Sequence, residues 1–427
     1  MSDWEALQGE IRRAQKRHRV QADRVRGLFV PYFRRGVLSV PAFKMSAGGD
    51  PKVQGREQSL KLMSKAAQLP ADCFFYDLED AAPDQAEFKQ FAREFAVEAL
   101  LTHDFADRVV AFRPNNIRTE YFEQDVLQVI RAAGHKLQML VIPKTENADE
   151  VADIAKMVQR INELAGNSNK LYLEVLIESP RAFLQAQQIA QIPQVTALVF
   201  GAYDFARTVG GEVDAKTWLR DQTVVRQMLP IIAASEGKDA VDAVTATLPL
   251  KPPRTPHLPQ KNYDLVMQPG YAGHWLYRPG DFGDGVRARH YALDLVRRDA
   301  QDARKLGFAA KWILHPDQIA PIQKAWVPTR ARALEALQLA AAYAKSAIDG
   351  SGAQRHGLKM ADKAVVAADW ALVQAALRAL VLSSDDIADN GFSIEQLQRS
   401  MATRDSPIDR PTPPQQEEGD EEAEIPF

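Results

Sequence analysis

RVVAFR at residues 108–113 and QMLVIP at residues 138–143 are two short β-rich runs with a helical pattern between them. The apolar residues of that pattern recur at positions that share one helix face: Phe122, Val126, Val129, Ile130 and Ala133. Gly134 follows them as a helix stop signal. A strand, an amphipathic helix and a second strand in this order predict parallel strands joined by a crossover helix.

The same alternation continues on both sides of this unit. The runs that predict strands are VLSV (37–40), CFFYD (73–77), RVVAFR (108–113), QMLVIP (138–143), KLYLEVLI (170–177), VTALVF (195–200), AVDAV (240–244) and KWILH (311–315). Eight strand–helix units between residues 34 and 328 favour a closed barrel over an open sheet. The predicted fold class is therefore α/β, a (β/α)8 TIM barrel.

Four regions follow from the patterning of the chain. Residues 1–33 predict an N-terminal helical arm, and 34–328 the catalytic barrel, with an insertion at about 246–285 before the last strand. A long insertion is typical of a functional lid or an interface, and an exposed loop is the alternative. Residues 329–402 predict a C-terminal helical region, and its interpretation as a lid comes from a family resemblance and not from this patterning. The acidic, proline-rich stretch 403–427 predicts a disordered tail, because it contains too little apolar surface to bury.

Composition excludes several classes of protein. The formal net charge of −3 provides no basic field for nucleic acid or an anionic membrane. No apolar run approaches the roughly 18 residues of a membrane span. Cys73 is the only cysteine, which excludes an intrachain disulfide and a cysteine metal site. The N-terminus resembles neither a secretory nor an organellar signal, so we expect a cytoplasmic protein that contacts no nucleic acid and no membrane.

Polar side chains follow every predicted strand, at the end where the active sites of such barrels lie. They are Lys44, Asp77 with Glu79 and Asp80, Arg113 with Asn115, Lys144, Glu178, Asp204, Asp242 and His315. Any one of them could be a helix cap. Together they predict a polar pocket at the carboxyl ends of the strands.

Glu178 and Asp204 end neighbouring strands, so their carboxylates should approach each other. Two oxygen ligands that leave room for water and substrate suit magnesium, and no histidine cluster competes for zinc. The alternative is that Glu178 caps a helix beginning near Pro180. Arg113 ends a buried strand and needs an anion, which is either a neighbouring carboxylate or part of a substrate. Lys144 is interpreted as structural.

The sequence resembles the HpcH/HpaI aldolase and citrate lyase β-subunit superfamily, and within it the malyl-CoA and citramalyl-CoA lyases most of all. The matching segments, in family order over roughly residues 35 to 375, are VLSVPA (37–42), ADCFFYDLEDAAP (71–83), VVAFRPN (109–115), VIPKTENADEV (141–151), EVLIESP (174–180), ALVFGAYDFA (197–206) and LGFAAKWILHPDQI (306–319). The sequence departs from the family at Ala42, at residues 46–57 and after the seventh strand. These departures bear on which substrate is bound more than on which type of reaction is catalysed.

The resemblance implies a role for particular residues. Glu178 and Asp204 fall on the family's magnesium ligands, and Arg113 on the arginine that holds the thioester carbonyl and stabilises its enolate. Lys44 and Lys65 fall where basic residues lie near the phosphates of coenzyme A. Asp362 falls on the catalytic acid/base of a lid that reaches a neighbouring subunit. Gly350 and Gly352 precede it as hinge residues.

The implied reaction is carbon–carbon cleavage or formation of a carboxylated 3-hydroxyacyl-CoA such as malyl-CoA or citramalyl-CoA. Its cofactors would be magnesium, with manganese as a substitute, and coenzyme A as part of the substrate. The resemblance also implies a homo-oligomer, either a trimer or a hexamer. Two other functions stay open: a citrate-lyase-β-like or free 2-oxo-acid aldolase without coenzyme A, and a non-catalytic subunit of a complex.

Overall fold

The computed structural model describes residues 34–46, 48–106, 108–211, 223–252, 260–267, 284–348, 354–356, 359–361, 363–378 and 381–401. The predicted arm (1–33), the tail (403–427) and much of the insertion lie outside these residues. So do Asp362 and the two predicted hinge glycines, Gly350 and Gly352.

Strands and helices alternate along the first part of the chain. The strands are β1 (Gly36–Pro41), β2 (Cys73–Asp77), β3 (Val109–Arg113), β4 (Met139–Ile142), β5 (Tyr172–Ile177), β6 (Val195–Phe200), β7 (Asp239–Asp242) and β8 (Ala310–Ile313). The helices are α1 (Arg56–Ala67), α2 (Ala86–Thr102), α3 (Phe122–Ala133), α4 (Ala148–Leu164), α5 (Pro180–Leu184), α6 (Ala186–Ala190), α7 (Ala202–Thr208), α8 (Thr223–Ser235), α9 (Gln260–Val266), α10 (Asp284–Leu306) and α11 (Ile319–Trp326).

The eight strands form a closed parallel barrel in sequence order. Closure is made by β1 and β8, where Val37 pairs with Trp312. All eight predicted strands are confirmed, and so is the predicted TIM barrel. The helix predicted between β3 and β4 is α3, with the predicted bounds.

Side chains alternate between the two faces of each strand, as the pleat of a strand requires. One set fills the barrel interior: Val37, Cys73, Phe75, Ala111, Val141, Leu176, Val199, Val241 and Trp312. The other set packs outward against the helices, as Leu38, Phe74 and Phe112 do. The inward positions of β5 are therefore Tyr172, Glu174 and Leu176, and the next inward position is Glu178.

The described residues from Val327 onward belong to a separate compact unit. It contains α12 (Arg330–Ile348), the short strands β9 (Gln354–His356) and β10 (Lys359–Ala361), and the helices α13 (Lys363–Arg378), α14 (Ser384–Ala388) and α15 (Ile394–Met401). Its core is built largely from α12 and α13, with Leu337, Ala340 and Val373 fully buried. α12 is the first helix within the predicted helical region at 329–402.

The described part of the insertion before β8 is held by hydrogen bonds from Arg289 and from Gln318, whose Nε2 donates to the oxygen of Thr247 at 3.3 Å. The buried Arg289 donates to the backbone oxygens of Pro249 and Met267 and to Asp317 Oδ2 at 2.8 Å. Tyr263 adds a hydrogen bond to the oxygen of Pro252 at 2.6 Å. Among the described residues, no helix has the length and apolar character that crossing a bilayer requires.

Candidate active site

A cavity of about 340 Å³ opens at the carboxyl ends of the barrel strands. One part of its wall is charged: Asp77, Asp80, Arg113, Glu178 and Asp204. The other part is mainly apolar: Pro41, Phe200, Ala243, Val244, Trp312 and Leu314. The strand ends therefore place acids, one guanidinium and an apolar surface around a common space.

Arg113 is the cation at the floor of this cavity. Its Nε and Nη2 atoms donate to the two oxygens of Asp77 at 2.8 and 2.5 Å, because Asp77 and Arg113 are register partners on β2 and β3. Its third nitrogen, Nη1, lies 3.2 Å from Glu79 and 3.2 Å from Asp80. These carboxylates hold the pKa of Arg113 above its usual value although burial opposes this, so the guanidinium stays charged.

Lys144 links the acids beside Arg113 to Glu178. Its ammonium donates to Glu79 Oε1 at 2.8 Å and to Asp80 Oδ1 at 2.9 Å. Its backbone amide donates to Glu178 Oε2 at 2.8 Å. Lys144 therefore has three acidic partners, Glu79, Asp80 and Glu178, which is more than a simple structural ion pair.

Glu178 is a buried carboxylate that faces the cavity. Burial raises its pKa to about 8, and the nearby Glu79 and Asp204 add to that increase while Arg113 opposes it. Glu178 does not cap the following helix, because the Ser179 hydroxyl accepts the capping hydrogen bond from the amide of Ala182. Ser179 therefore caps the helix, and the side chain of Glu178 remains in the cavity.

Asp204 lies in the first turn of α7 and lines the same cavity. Its Oδ1 atom accepts from the exposed Arg207 at 2.6 Å. Such a surface ion pair is weak, of the order of 0.5 kcal/mol. Asp204 can therefore exchange this partner for another cation at little cost.

The residues around Glu178 and Asp204 fit magnesium. Within the described residues, no basic side chain forms an ion pair with Glu178, so its charged form lacks a close counter-ion. Among the described residues, no group of three or more His, Cys, Asp or Glu side chains has an arrangement that could hold a metal ion by itself. Two carboxylates with open space beside them match magnesium, which keeps several ligand positions for water and substrate.

The remaining predicted site residues are placed differently. Lys44 and Lys65 are exposed, and neither lines the cavity. The amide of Lys44 donates to the Ser59 hydroxyl at 2.8 Å, which fixes the loop after β1 on α1. Asp362 lies outside the described residues, so its role stays a prediction.

Three residues expected in the polar pocket belong to the scaffold instead. Asp242 is the last residue of β7 and points outward, where Arg226 Nη2 and Lys311 Nζ contact Oδ2 at 2.6 and 2.8 Å. Asn115 bonds to Asp125, at 2.7 Å from its side-chain nitrogen. His315 caps the short helix at Pro316–Gln318. The expectation was wrong for these three, because a polar residue after a strand can face either side of it.

Sequence reasoning did not single out Gly201, Tyr203 or Trp312, although all three line the cavity. The Trp312 ring packs against Phe75 at 4.9 Å and lies 5.7 Å from the Arg113 guanidinium. The signal for Trp312 was its inward position on β8, two residues after Ala310. A strict alternation rule applied to each strand would have found it.

Known proteins are similar to this chain in sequence and in fold. The L-malyl-CoA/beta-methylmalyl-CoA lyase of Rhodobacter capsulatus is 27% identical over 313 residues, which cover 71% of this chain and 87% of that protein. A citrate lyase subunit beta-like protein of Deinococcus radiodurans is 27% identical over 316 residues, covering 72% and 89%.

Two solved structures share the fold. A citrate lyase from Burkholderia xenovorans superposes with a TM-score of 0.60 at 18% identity, covering 84% of this chain and 96% of that one. Protein CitE from Mycobacterium tuberculosis, in complex with magnesium, acetoacetate and coenzyme A, gives a TM-score of 0.51 at 21% identity, covering 80% and 97%. Residues 56–248, from the start of α1 to beyond β7, match the family described as HpcH/HpaI aldolase/citrate lyase. The chain therefore carries an HpcH/HpaI aldolase/citrate lyase family domain.

Proposed function

We propose that this protein is a magnesium-dependent carbon–carbon lyase that cleaves or forms a carboxylated 3-hydroxyacyl-CoA such as malyl-CoA or citramalyl-CoA. The products of cleavage are an acyl-CoA and a 2-oxo acid. The observation that carries the proposal is the convergence of Arg113, Glu178 and Asp204 on one cavity. The names of the sequence relatives, malyl-CoA lyase among them, support a thioester substrate.

Glu178 and Asp204 are the residues that would hold magnesium. When bound, the ion supplies Lewis acid chemistry to the oxygens of the 2-oxo acid. The carboxylates orient that end of the substrate toward the charged wall of the cavity. The apolar wall formed by Phe200, Val244 and Trp312 then lies where it can exclude water from the acyl part.

Arg113 stabilises the charge that cleavage creates. As the carbon–carbon bond breaks, the 3-hydroxyl group gives its proton to solvent water and becomes the carbonyl of the oxo acid. The electron pair of the broken bond moves onto the acyl-CoA as an enolate, whose charge resides largely on the thioester oxygen. Arg113 offers Nη1 to that oxygen, because Nε and Nη2 are engaged by Asp77.

Protonation of the enolate carbon completes the cleavage. Asp362 is the proposed donor, on the strength of the family resemblance, and it would come from a neighbouring chain of a homo-oligomer. The reverse reaction requires the same group as a base. In either direction the proton and electron pair balance without an added oxidant or reductant.

A substrate panel tests the proposal directly. Purified protein is incubated with malyl-CoA, methylmalyl-CoA and citramalyl-CoA in the presence of magnesium, and the released 2-oxo acid is trapped with phenylhydrazine. We expect glyoxylate or pyruvate in equal amount to the acyl-CoA formed. Absence of oxo acid from every thioester, in protein that is folded and binds magnesium, contradicts the proposal.

The alternative is an aldolase that acts on free hydroxy acids without coenzyme A. Lys65, exposed at the end of α1, separates the two functions. If coenzyme A is part of the substrate, Lys65→Ala should raise the thioester KM about 5- to 10-fold with little change in kcat, the size of one rim charge contact. Lys170→Ala is the matched control, because Lys170 is also an exposed lysine but precedes β5, which lies across the barrel from β1. Equal KM values for both variants, with turnover of a free acid, favour the aldolase.

A further inference from the structure

Lys144 has an unusual backbone for a lysine. Its φ angle is +49°, a left-handed conformation that, among the described residues, only one other non-glycine residue adopts, Ala106 at +48°. Left-handed backbone is costly for a residue with a Cβ atom, and it concentrates at functional sites. The surroundings hold Lys144 in place from both sides: its amide donates to Glu178, and its carbonyl accepts from Arg118.

The ammonium of Lys144 competes with Arg113 for the same two carboxylates. Glu79 and Asp80 each direct one oxygen to Lys144 Nζ in a hydrogen bond, at 2.8 and 2.9 Å. Their other oxygens lie 3.2 Å from Arg113 Nη1 as ion-pair contacts. Glu79 Oε2 is buried and accepts no hydrogen bond in the described part of the chain. The carboxylates are therefore hydrogen-bonded to Lys144 and only close to Arg113.

This division leaves Nη1 of Arg113 without a hydrogen bond in the described part of the chain, although two carboxylate oxygens lie 3.2 Å from it. Asp77 occupies Nε and Nη2, and charge-assisted hydrogen bonds of this kind are strong. If Glu79 also hydrogen-bonded to Nη1, protein carboxylates would engage all three nitrogens of Arg113. A substrate oxygen would then have to compete with Glu79 for the N–H groups of Nη1.

We infer that Lys144 is a positioning residue that keeps the Nη1 edge of Arg113 open by holding Glu79 and Asp80. The inference rests on the proposed function for the identity of the oxygen that Arg113 receives. It assigns a task to a residue whose sequence context suggested only a structural ion pair. The same backbone turn places the Lys144 amide against Glu178. One residue therefore helps to position both Arg113 and Glu178 in the cavity.

Lys144→Gly isolates the side chain from the backbone. Glycine adopts positive φ freely and keeps the amide that contacts Glu178, so the side chain with its ammonium is lost and the backbone contact remains. Lys144→Asn is the second variant, since asparagine also tolerates this conformation. Ala106→Gly controls for relief of a left-handed backbone, because Ala106 is exposed and precedes β3 at the opposite end of the barrel.

The expected result is a fall in kcat of about 10- to 100-fold for Lys144→Gly, the scale of a misplaced catalytic group. Magnesium binding, measured by calorimetry, should be no weaker than in the wild type, because the backbone contact to Glu178 remains. In a Glu79→Gln background, the loss caused by Lys144→Gly should shrink at least about threefold, since a neutral amide competes less for Arg113. Ala106→Gly should keep wild-type kcat.

Wild-type kcat in both Lys144 variants overturns the inference, and so does a kcat loss of equal size in the Glu79→Gln background. A crystal structure of Lys144→Gly decides the matter without turnover: Glu79 Oε2 should be hydrogen-bonded to Arg113 Nη1. An unchanged Glu79 and an unoccupied Nη1 edge would refute it even if the wild type cleaved no thioester. Failure of the proposed function is recognised separately, by a wild-type protein inactive on the whole substrate panel.

Discussion

Gly201 and Glu178 lie against each other at the ends of β6 and β5. A Cβ atom built on Gly201 would come 2.2 Å from Glu178 Cγ and 2.7 Å from its Oε1 atom. The amide of Gly201 also donates to the oxygen of Ile177 at 3.1 Å, so the backbone cannot move away without losing a strand contact. The absence of a side chain at position 201 is what gives the carboxylate its place in the cavity.

Gly201→Ala should therefore displace Glu178 while leaving the barrel folded. We expect at least about a 100-fold loss of lyase activity together with weaker magnesium binding, because the added methyl group moves the Glu178 carboxylate out of its position as a ligand. Overpacking of this kind costs about 1–3 kcal/mol of stability. Gly211→Ala is the matched control, since its nearest atoms lie at 3.6 Å, an ordinary contact distance. Equal activity of the two variants, measured with calorimetry and urea unfolding alongside, would refute the steric argument.

The metal assignment predicts a specific pattern among acid-to-amide variants. Glu178→Gln and Asp204→Asn should each lower activity at least about 100-fold and weaken magnesium binding, because each removes a charged ligand. Asp153→Asn, on the exposed face of α4, should do neither. EDTA should abolish activity, and magnesium or manganese should restore it. Full activity in EDTA, or magnesium affinity unchanged in both variants, rules the assignment out.

The barrel could be predicted because its signals are local and repeated. Each strand is a short apolar run, and the helix Phe122–Ala133 carries its apolar face and its stop signal within the helix itself and the glycine after it. The strand ends could also be located, which is why Glu178 and Asp204 were found. Their closeness follows from barrel geometry, since β5 and β6 are neighbours.

The side of the strand that a polar side chain faces, and the partners it binds, could not be predicted in the same way. Asp242 follows the same sequence rule as Asp77 but faces the helices, because the inward or outward side depends on one residue of register. Lys144 adopts a positive φ, and it shares the carboxylates of Glu79 and Asp80 with Arg113. Both features arise from contacts between β2, β3 and β4. No local pattern encodes them.

Asp362 gives a prediction about assembly. If it serves the site of a neighbouring chain, Asp362→Asn and Glu178→Gln chains should be nearly inactive alone and regain activity when they assemble together. In a random mixture of equal amounts, about one quarter of the sites would combine both intact groups. Activity is measured after mixing under dissociating conditions and reassembly, and native mass spectrometry confirms that mixed oligomers form.

Two outcomes would contradict the shared site. Mixed oligomers without recovered activity would show that both groups must come from one chain. Wild-type turnover of Asp362→Asn alone would remove Asp362 from the mechanism. Asp385→Asn serves as the control, because Asp385 is an exposed acid in the same C-terminal unit.

β5 carries a second inward carboxylate at the opposite end of the barrel from Glu178. Glu174 is fully buried, and its Oε1 lies 3.0 Å from Arg34 Nε. Asp239, the first residue of β7, lies 3.3 Å from Arg34 Nη2. One guanidinium thus serves two carboxylates inside the barrel. Burial raises the pKa of Glu174, and the neighbouring Asp239 adds to the increase while Arg34 opposes it.

This arrangement predicts how stability depends on pH. Because the pKa of Glu174 is higher in the folded state than in the unfolded chain, the folded state binds the proton more tightly. Its contribution to stability is therefore complete below the ordinary glutamate pKa of about 4.3, and it is lost as the pH rises through the raised value.

Glu174→Gln stays neutral throughout and leaves Arg34 paired with Asp239 alone. The stability of the variant relative to the wild type should increase with pH across this window. Urea unfolding in EDTA between about pH 4.5 and 8 measures the difference, and subtraction of the wild type cancels the titration of the other carboxylates. Glu163→Gln, on the exposed surface of α4, should show no such trend. A pH-independent difference, or a variant that loses stability as the pH rises, would mean that Arg34 fully neutralises Glu174 in the folded barrel.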